Sequence, residues 1–348
     1  RRRRGLGGGP VLVDVEGHGR EPFSGGVDLS RTVGWFTCIY PVRVDPGAVV
    51  WEQLTGGGAA AGELVKAVKE QLRAVPGGGL GYGLLRYLNP VAGPRLAALP
   101  VPQIGFNYLG RFPAGTPAQP VPGQPTEDPG DWQLAGGTGL GGGDRDLPAA
   151  HVLEAAVTVR ETAGGPELVL SLSAPEELIG RQALQQLAGY WAAALGGIAA
   201  YAAVPGAGGY TPSDFPLVAL GQDQVQELEA GVAGLAEVWP LSPLQEGLLF
   251  HAWYDQQGPD VYIVQYVLAL DGPVQAGVLR AAGQALLDRH ASLRAGFRQL
   301  AGSGGPVQVV VGGVVLPCGR QICPGWTRPR RWPRRRTWLS RTGPGLIW

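Results

Sequence analysis

A short β-branched segment that ends in a glycine-hinged polar loop constrains this chain more than any other feature. Val11-Leu-Val-Asp-Val15 predicts a buried strand, and Glu16-Gly-His-Gly-Arg20 follows it directly. The loop places a carboxylate, an imidazole and a guanidinium close together on glycine-hinged backbone. This layout is typical of a chemical site rather than of a packed core.

The rest of the chain alternates predicted strands and helices, which indicates an α/β fold with mixed sheets and flanking helices. Pro41 interrupts the second strand and predicts an edge position or a bulge there. The glycine-rich stretch 76–83 is expected to be a flexible loop. The predicted strands are 35–44, 103–109, 151–160, 167–173, 261–270 and 306–315; the predicted helices are 59–75, 175–203 and 274–289.

Composition excludes several classes of protein. The 28 basic and 28 acidic residues cancel, and the three cysteines and four histidines show no metal-ligand spacing, so we expect no metal. No apolar run of about 18 residues predicts a membrane span, and no signal peptide is indicated, so we expect a cytoplasmic protein. Because the sequence contains no Met, we treat it as a fragment of a longer protein.

Four ordered motifs carry a family resemblance. Residues 15–24, 31–41, 76–87 and 106–111, which include EGHGRE, RTVGWFTCIYP and FNYLGR, resemble the epimerization domain of nonribosomal peptide synthetases. Further on, TPSDFPLV at 211–218 is similar to that family's interdomain segment. WPLSPLQEGLLFH at 239–251 and RHASLRAGF at 289–297 resemble the opening motifs of a condensation domain.

The resemblance implies an architecture and a division into domains. It implies chloramphenicol-acetyltransferase-like lobes, which are incomplete in this chain. Residues 1–205 would be the C-terminal lobe of an epimerization domain, 206–236 an interdomain linker, and 237–317 the N-terminal part of a condensation domain. Residues 318–348 contain eight Arg and no acidic residue, and we interpret them as a frameshifted, disordered tail, with a genuine basic tail as the alternative.

The resemblance also implies roles for individual residues. Glu16 matches the proposed acid/base, and Asn107 and Tyr108 are implicated as catalytic partners. Strand alternation puts Asn107 and Tyr108 on opposite faces unless the strand is bulged. Burial at the strand end is expected to raise the pKa of Glu16, although a simple pairing with Arg20 is the alternative.

Two loop side chains are candidate substrate-positioning groups. His18 either donates to a thioester carbonyl or hydrogen-bonds within the Gly17/Gly19 turn, and the turn is favoured. Arg20 either positions a carboxylate, including that of Glu16, or is a solvated loop residue.

The implied activity is epimerization at Cα of an L-aminoacyl or peptidyl thioester, followed by transfer to a D-accepting condensation domain. The thioester would be carried on the 4'-phosphopantetheine arm of a carrier protein, with no cofactor bound directly. The HHxxxDG motif is absent from the sequence, so the missing N-terminal epimerization lobe is an expected partner and the fragment alone is expected to be inactive. A non-catalytic carrier-protein docking or interdomain linker module is the alternative; nucleic acid and membrane partners are not expected.

Overall fold

The computed structural model describes residues 9–20, 28–29, 31–112, 148–162, 164–254, 273, 275–302 and 305–318. The chain divides into two compact units, Arg1–Gly208 and Gly209–Trp348. The predicted strand at 261–270, the whole of the stretch 113–143, which its Gly, Pro and Thr content predicts to be a loop, and all but the first residue of the 318–348 tail lie outside the described residues.

The first unit is a five-stranded mixed sheet with helices. Its strands are β1 (Val11–Gly17), β2 (Cys38–Val44), β3 (Ile104–Phe112), β4 (Leu153–Thr162) and β5 (Gly165–Ser173), and its helices are α1 (Trp51–Thr55), α2 (Ala59–Arg73), α3 (Leu80–Gly83), α4 (Ala92–Ala97) and α5 (Arg181–Ala202). The strand order is β2-β1-β3-β4-β5. The β1–β3 and β3–β4 pairs are parallel, whereas β1–β2 and β4–β5 are antiparallel. The predicted α/β class with mixed sheets is therefore confirmed.

One face of this sheet is apolar and packs against helices. Phe106 on β3 stacks on Trp191 of α5, with ring centroids 6.3 Å apart, and Trp51 of α1 meets Tyr190 of α5 edge-on. Ala155 and Val157 of β4 are almost completely buried on the same side as Phe106. Because side chains alternate along a strand, those at the even-numbered positions of β1 point to the opposite face of the sheet.

Most predicted elements of the first unit are present, with two differences. Pro41 lies in β2 at the edge of the sheet, as its missing N–H requires. The expected loop at 76–83 instead forms a 3-10 turn, Pro76–Gly79, and α3, because Gly77, Gly78 and Gly79 adopt positive φ and turn the chain sharply. The long helix begins at Arg181 rather than at Pro175.

The second unit is a three-stranded antiparallel sheet with three helices in its described part. The strands β6 (Leu235–Pro240), β7 (Ala295–Gln299) and β8 (Pro306–Val311) have the order β6-β8-β7. The helices are α6 (Gln222–Gly231), α7 (Pro243–Tyr254) and α8 (Ala276–Arg289). Ser242 caps α7, accepting from the N–H of Gln245 at 3.3 Å while its own N–H donates to the Gln245 side chain.

The stretch expected to be a linker is folded into the second unit. The Thr211 side chain and the Asp214 carboxylate form a capping box around the 3-10 turn Pro212–Asp214. This turn directs Phe215 into the core, where it packs with α6 residues such as Val225 and Leu228. Local capping and one buried aromatic ring therefore give order to a sequence with few helix or strand signals. The boundaries of the domains stay predictions.

Candidate functional site

The polar face of the first unit's sheet carries two rows of side chains across β1, β3 and β4. The first row is Asp14, Gly105 and Glu154, and the second row is Glu16, Asn107 and Ala156. Residues paired in a ladder point to the same face, and the two rows lie roughly 7 Å apart along the strands. The parallel register therefore gathers three carboxylates on one surface.

Glu16 and Asn107 contact each other in the second row. The Nδ2 group of Asn107 donates to Oε2 of Glu16 at 2.5 Å. Burial, and after it the negative charge of Glu154, raises the pKa of the Glu16 carboxyl above its ordinary value. The expected increase in the pKa of Glu16 is therefore confirmed, with a second cause that the sequence did not reveal. A carboxylate with a raised pKa is a stronger proton acceptor when ionised.

A histidine joins the two acids of the first row. The Nε2 atom of His151 lies 2.9 Å from Oδ2 of Asp14, and its Nδ1 atom lies 2.6 Å from Oε1 of Glu154. Burial opposes protonation of the ring, but the hydrogen bonds to Asp14 and Glu154 outweigh it, so the pKa of His151 is raised. We call Asp14, His151 and Glu154 the acid-histidine network.

The acid-histidine network depends on a glycine in the central strand. A Cβ at Gly105 would lie 2.7 Å from Nδ1 of His151 and closer still to Oε2 of Glu154. The imidazole and the Glu154 carboxylate therefore occupy the space that any other residue's side chain would fill. Gly105 lets the ring reach across β3 to Asp14.

A cavity of about 1010 Å³ adjoins the first row. Asp14 and His151 contribute polar groups to its wall, and Gly81 and Gly83 contribute backbone. The apolar part of its lining includes Leu80, Leu84, Leu88, Leu96 and Leu99. The cavity has the size and the mixed lining of a site for a ligand larger than a single amino acid.

Tyr108, the third predicted catalytic residue, is not placed with Glu16. Tyr108 directly follows Asn107 and pairs with Val157, so alternation directs it to the opposite face of the sheet. The register shift in β3 lies beyond it, between Tyr108 and Arg111, where Gly110 has φ of 97°. The bulge that would bring both side chains to one face is therefore not between Asn107 and Tyr108.

The two predicted positioning residues lie in the loop after β1. Nδ1 of His18 accepts from the backbone N–H of Arg20 at 3.0 Å, which is the hydrogen bond within the turn that the sequence favoured. The guanidinium of Arg20 donates to the carbonyls of Leu29 and Thr32 at 2.9 and 2.7 Å and lies over the ring of Phe36. Its described partners are loop carbonyls rather than Glu16, so Arg20 fixes the loop. A role of either side chain toward substrate stays a prediction.

Sequence reasoning missed the acid-histidine network. A signal for Asp14 was available, since Asp14 and Glu16 are two residues apart in a predicted strand and must share a face. The segment 11–15 was instead interpreted as a uniformly buried run. No comparable signal existed for His151 and Glu154, which depend on the pairing of β1, β3 and β4.

Comparison with known proteins identifies the class to which this fold and polar surface belong. Residues 5–125 and 235–317 match the condensation domain family. These two segments amount to more than half of the chain, so the chain belongs to that family. The predicted resemblance to nonribosomal peptide synthetases is confirmed at this level.

The chain is also similar to segments of individual peptide synthetases. It is 38% identical over 289 residues to a linear gramicidin synthase from Brevibacillus parabrevis, and the match covers 82% of this chain and 5% of that protein. It is 33% identical over 352 residues to chondramide synthase of Chondromyces crocatus, and the match covers 88% of this chain and 8% of that protein. The chain thus spans less than a tenth of the length of these relatives.

Among solved structures, the chain matches the epimerization domain from the third module of tyrocidine synthetase B. The identity is 29% and the TM-score is 0.40, with 56% of this chain and 38% of that chain covered. Separately, the described part of the chain contains no helix with the length and apolar character needed to cross a membrane.

Proposed function

We propose that the first unit belongs to the epimerization machinery of a nonribosomal peptide synthetase and that Glu16 exchanges the Cα proton of a carrier-bound aminoacyl or peptidyl thioester. The observation that carries this proposal is the Glu16–Asn107 pair on a polar sheet face, with the pKa of Glu16 raised by burial and by Glu154. The match to the condensation domain family and to peptide synthetases supports it. The epimerized thioester would then pass to the D-accepting condensation domain of which the second unit is a part.

The proposed reaction needs one base and one acid. The Glu16 carboxylate takes the Cα proton, and the electron pair of the broken C–H bond moves into the thioester carbonyl to give an enolate. A second group then delivers a proton to the opposite face of Cα, and Glu16 and that group return to their starting states over the reverse cycle. Asn107 holds Glu16 through its amide N–H.

The second acid-base group is proposed to come from an N-terminal lobe. The sequence contains no HHxxxDG motif, and that motif supplies the histidine in the family that the chain resembles. The carrier protein's 4'-phosphopantetheine arm is proposed to run through the cavity beside the first row. Support comes from the backbone of Gly81 and Gly83 in the cavity wall, where an extended arm can approach without meeting side chains.

Hydrogen exchange tests the proposal directly. An aminoacyl carrier protein is mixed in deuterated water with this chain and an N-terminal lobe that carries HHxxxDG, and deuterium at Cα is measured by mass spectrometry. We expect exchange above the background, no exchange with the chain alone, and a loss of about a hundredfold or more for Glu16→Gln. Glu63→Gln, an exposed position on α2, is the matched control and should leave the rate unchanged.

The competing function is that of a non-catalytic docking or linker module. If the chain binds the carrier protein, Cα exchange stays at the background rate and Glu16→Gln has no effect, that function is established and the epimerase proposal is rejected. Exchange that persists undiminished in Glu16→Gln would instead assign the base to another residue.

A further inference from the structure

The geometry points to His151 as a positioning residue that controls the charge beside Glu16. Its ring lies over Gly105, between the carboxylates of Asp14 and Glu154. This inference rests on the proposed function of Glu16 as the proton-exchanging group. It concerns three residues that the motif resemblance does not include.

The positions of the ring nitrogens determine the charge of the imidazole. Both nitrogens face a carboxylate oxygen, Nε2 toward Asp14 at 2.9 Å and Nδ1 toward Glu154 at 2.6 Å. A neutral ring has one N–H and one lone pair, so one nitrogen would then direct its lone pair at a carboxylate oxygen. The doubly protonated ring donates to both acids, and the raised pKa of His151 agrees with this arrangement.

Two members of the acid-histidine network are largely shielded by the fold, and the third, Glu154, has a side chain that is 46% exposed. The side chain of His151 is 11% exposed and that of Asp14 is 18% exposed. Asp14 lies on β1, Glu154 lies near the start of β4 and His151 precedes β4, with its ring in the space left by Gly105 of β3. Such a pair of hydrogen bonds across three strands holds the charges at constant positions relative to the next row.

Glu16 lies in that next row and responds to this charge. Glu154 raises the pKa of Glu16, and Nδ1 of His151 lies 2.6 Å from that carboxylate, so the charge of the ring bears directly on the group that acts on the proposed base. With His151 protonated, its positive charge offsets one of the two carboxylates. If the ring were neutral or absent, two negative charges would face Glu16 and would hold its proton more tightly.

Few other ionisable groups face this region from the described elements. Tyr82 of α3 lies near Asp14, and burial and then the charge of Asp14 raise its pKa further above the working range, so it stays neutral. Arg86 acts on Tyr82, while Arg20 and His18 bond within their own loop. Cys38 of β2 donates to the carbonyl of Gly17. His151 is therefore the positive group placed to balance Asp14 and Glu154.

The test is a pH titration of the Glu16 carboxyl by NMR, using the full chain with ¹³C-labelled glutamate and the Glu16→Gln spectrum for assignment. Glu154→Gln should lower the pKa of Glu16, whereas His151→Gln should raise it. Each change should alter the protonation equilibrium by at least about threefold, which is the effect of one unit charge across roughly 7 Å even in bulk water. Glu161→Gln, which removes a β4 carboxylate paired with Arg111 of β3, is the control and should leave the pKa of Glu16 unchanged.

A second variant tests the network without changing any charge. Gly105→Ala places a methyl group where His151 and Glu154 lie, so the ring should lose its partners and the pKa of His151 should fall toward its ordinary value. The inference would be overturned if the pKa of Glu16 did not shift, or if it shifted in the same direction in Glu154→Gln and His151→Gln. So would an unchanged His151 titration in Gly105→Ala.

These titrations need no substrate and so separate the two hypotheses. If the pKa of Glu16 shifts as expected but Glu16→Gln leaves Cα exchange intact, the role of His151 is supported and the proposed function is rejected. If Glu16→Gln abolishes exchange while Glu16 titrates identically in all variants, the proposed function stands and the role of His151 fails. When both hold, the acidic limb of the exchange profile moves with the pKa of Glu16.

Discussion

Two adjacent glycines in α5 provide a matched test of how the helical layer supports the sheet. Gly197 is buried against the end of α1, where a Cβ would lie 2.8 Å from the carbonyl carbon of Leu54 and from Cα of Thr55. Gly196 is exposed, and nothing lies within 4 Å of the corresponding Cβ. Alanine at either position brings the same gain in helix propensity, so the two variants differ only in packing.

The expected free energies follow from these contacts. Gly196→Ala should stabilise the first unit by about 0.5–1 kcal/mol, because alanine loses less backbone entropy than glycine in a helix. Gly197→Ala gains the same amount but forces α5 away from rigid backbone atoms, and overpacking of this kind costs about 3 kcal/mol. The net loss is about 2 kcal/mol, so the two variants should differ by about 3 kcal/mol, or roughly a hundredfold in the unfolding equilibrium.

Urea unfolding followed by far-ultraviolet circular dichroism measures this difference. The midpoint of Gly196→Ala should rise and that of Gly197→Ala should fall, with the wild-type chain between them. Equal stabilities of the two variants would refute the close α1–α5 contact. A loss of stability in both would show that the helix itself, rather than its packing, is sensitive at this point.

Three further predictions concern the loop, the histidine and the second unit. Gly19→Ala should destabilise the loop after β1 and reduce Cα exchange, because Gly19 has φ of 64° and a Cβ would lie 2.6 Å from the Phe36 carbonyl carbon. An unchanged rate of proteolysis in this loop would contradict the expectation. The pKa of His151 in the folded state is raised above 6.5, so its contribution to stability should be complete below pH 6.5 and be lost as the pH rises through that folded-state pKa. His151→Gln should remove this part of the pH dependence of the thermal melting temperature. Val309→Ala, at a position 2% exposed, should cost the second unit about 2 kcal/mol in urea titrations, and a loss below about 0.5 kcal/mol would argue against a packed core there.

The sequence was sufficient to predict the elements that local chemistry determines. The strand at 11–15, the helix at 59–75 and the edge position of Pro41 each follow from periodicity or from a single backbone constraint. The order within the 206–236 segment was not expected, because it comes from the buried ring of Phe215, which shares a cluster with α6 residues of the same segment and with Leu300, Val307 and Val309 much later in the chain. Such order depends on tertiary packing and leaves no local pattern.

In the candidate site too, some features could be predicted from local sequence and others depend on how the strands pair. Glu16 was recognised from its motif, and the increase in its pKa was expected from burial alone. The contribution of Glu154 required knowledge that β3 pairs with β1 on one side and with β4 on the other, and local sequence does not specify these parallel pairings. His151 was considered only among the four histidines that lack metal-ligand spacing. Its partners are 137 and 3 residues away, and only the nearer one is visible locally.

Packing on the apolar face of β3 determines the register in which β3 pairs with its neighbours, and so which residues meet on the polar face. Phe106 stacks on Trp191 of α5 and pairs with Val15, so the helical layer selects which residues of β3 face away from it. A slip of one residue would place Asn107 under α5 and Phe106 beside Glu16, burying an amide and exposing an aromatic ring. The energy that fixes the Glu16–Asn107 contact therefore comes mainly from hydrophobic packing on the opposite face. Substitutions at Trp191 should consequently disturb Cα exchange even though the indole lies on the far side of the sheet.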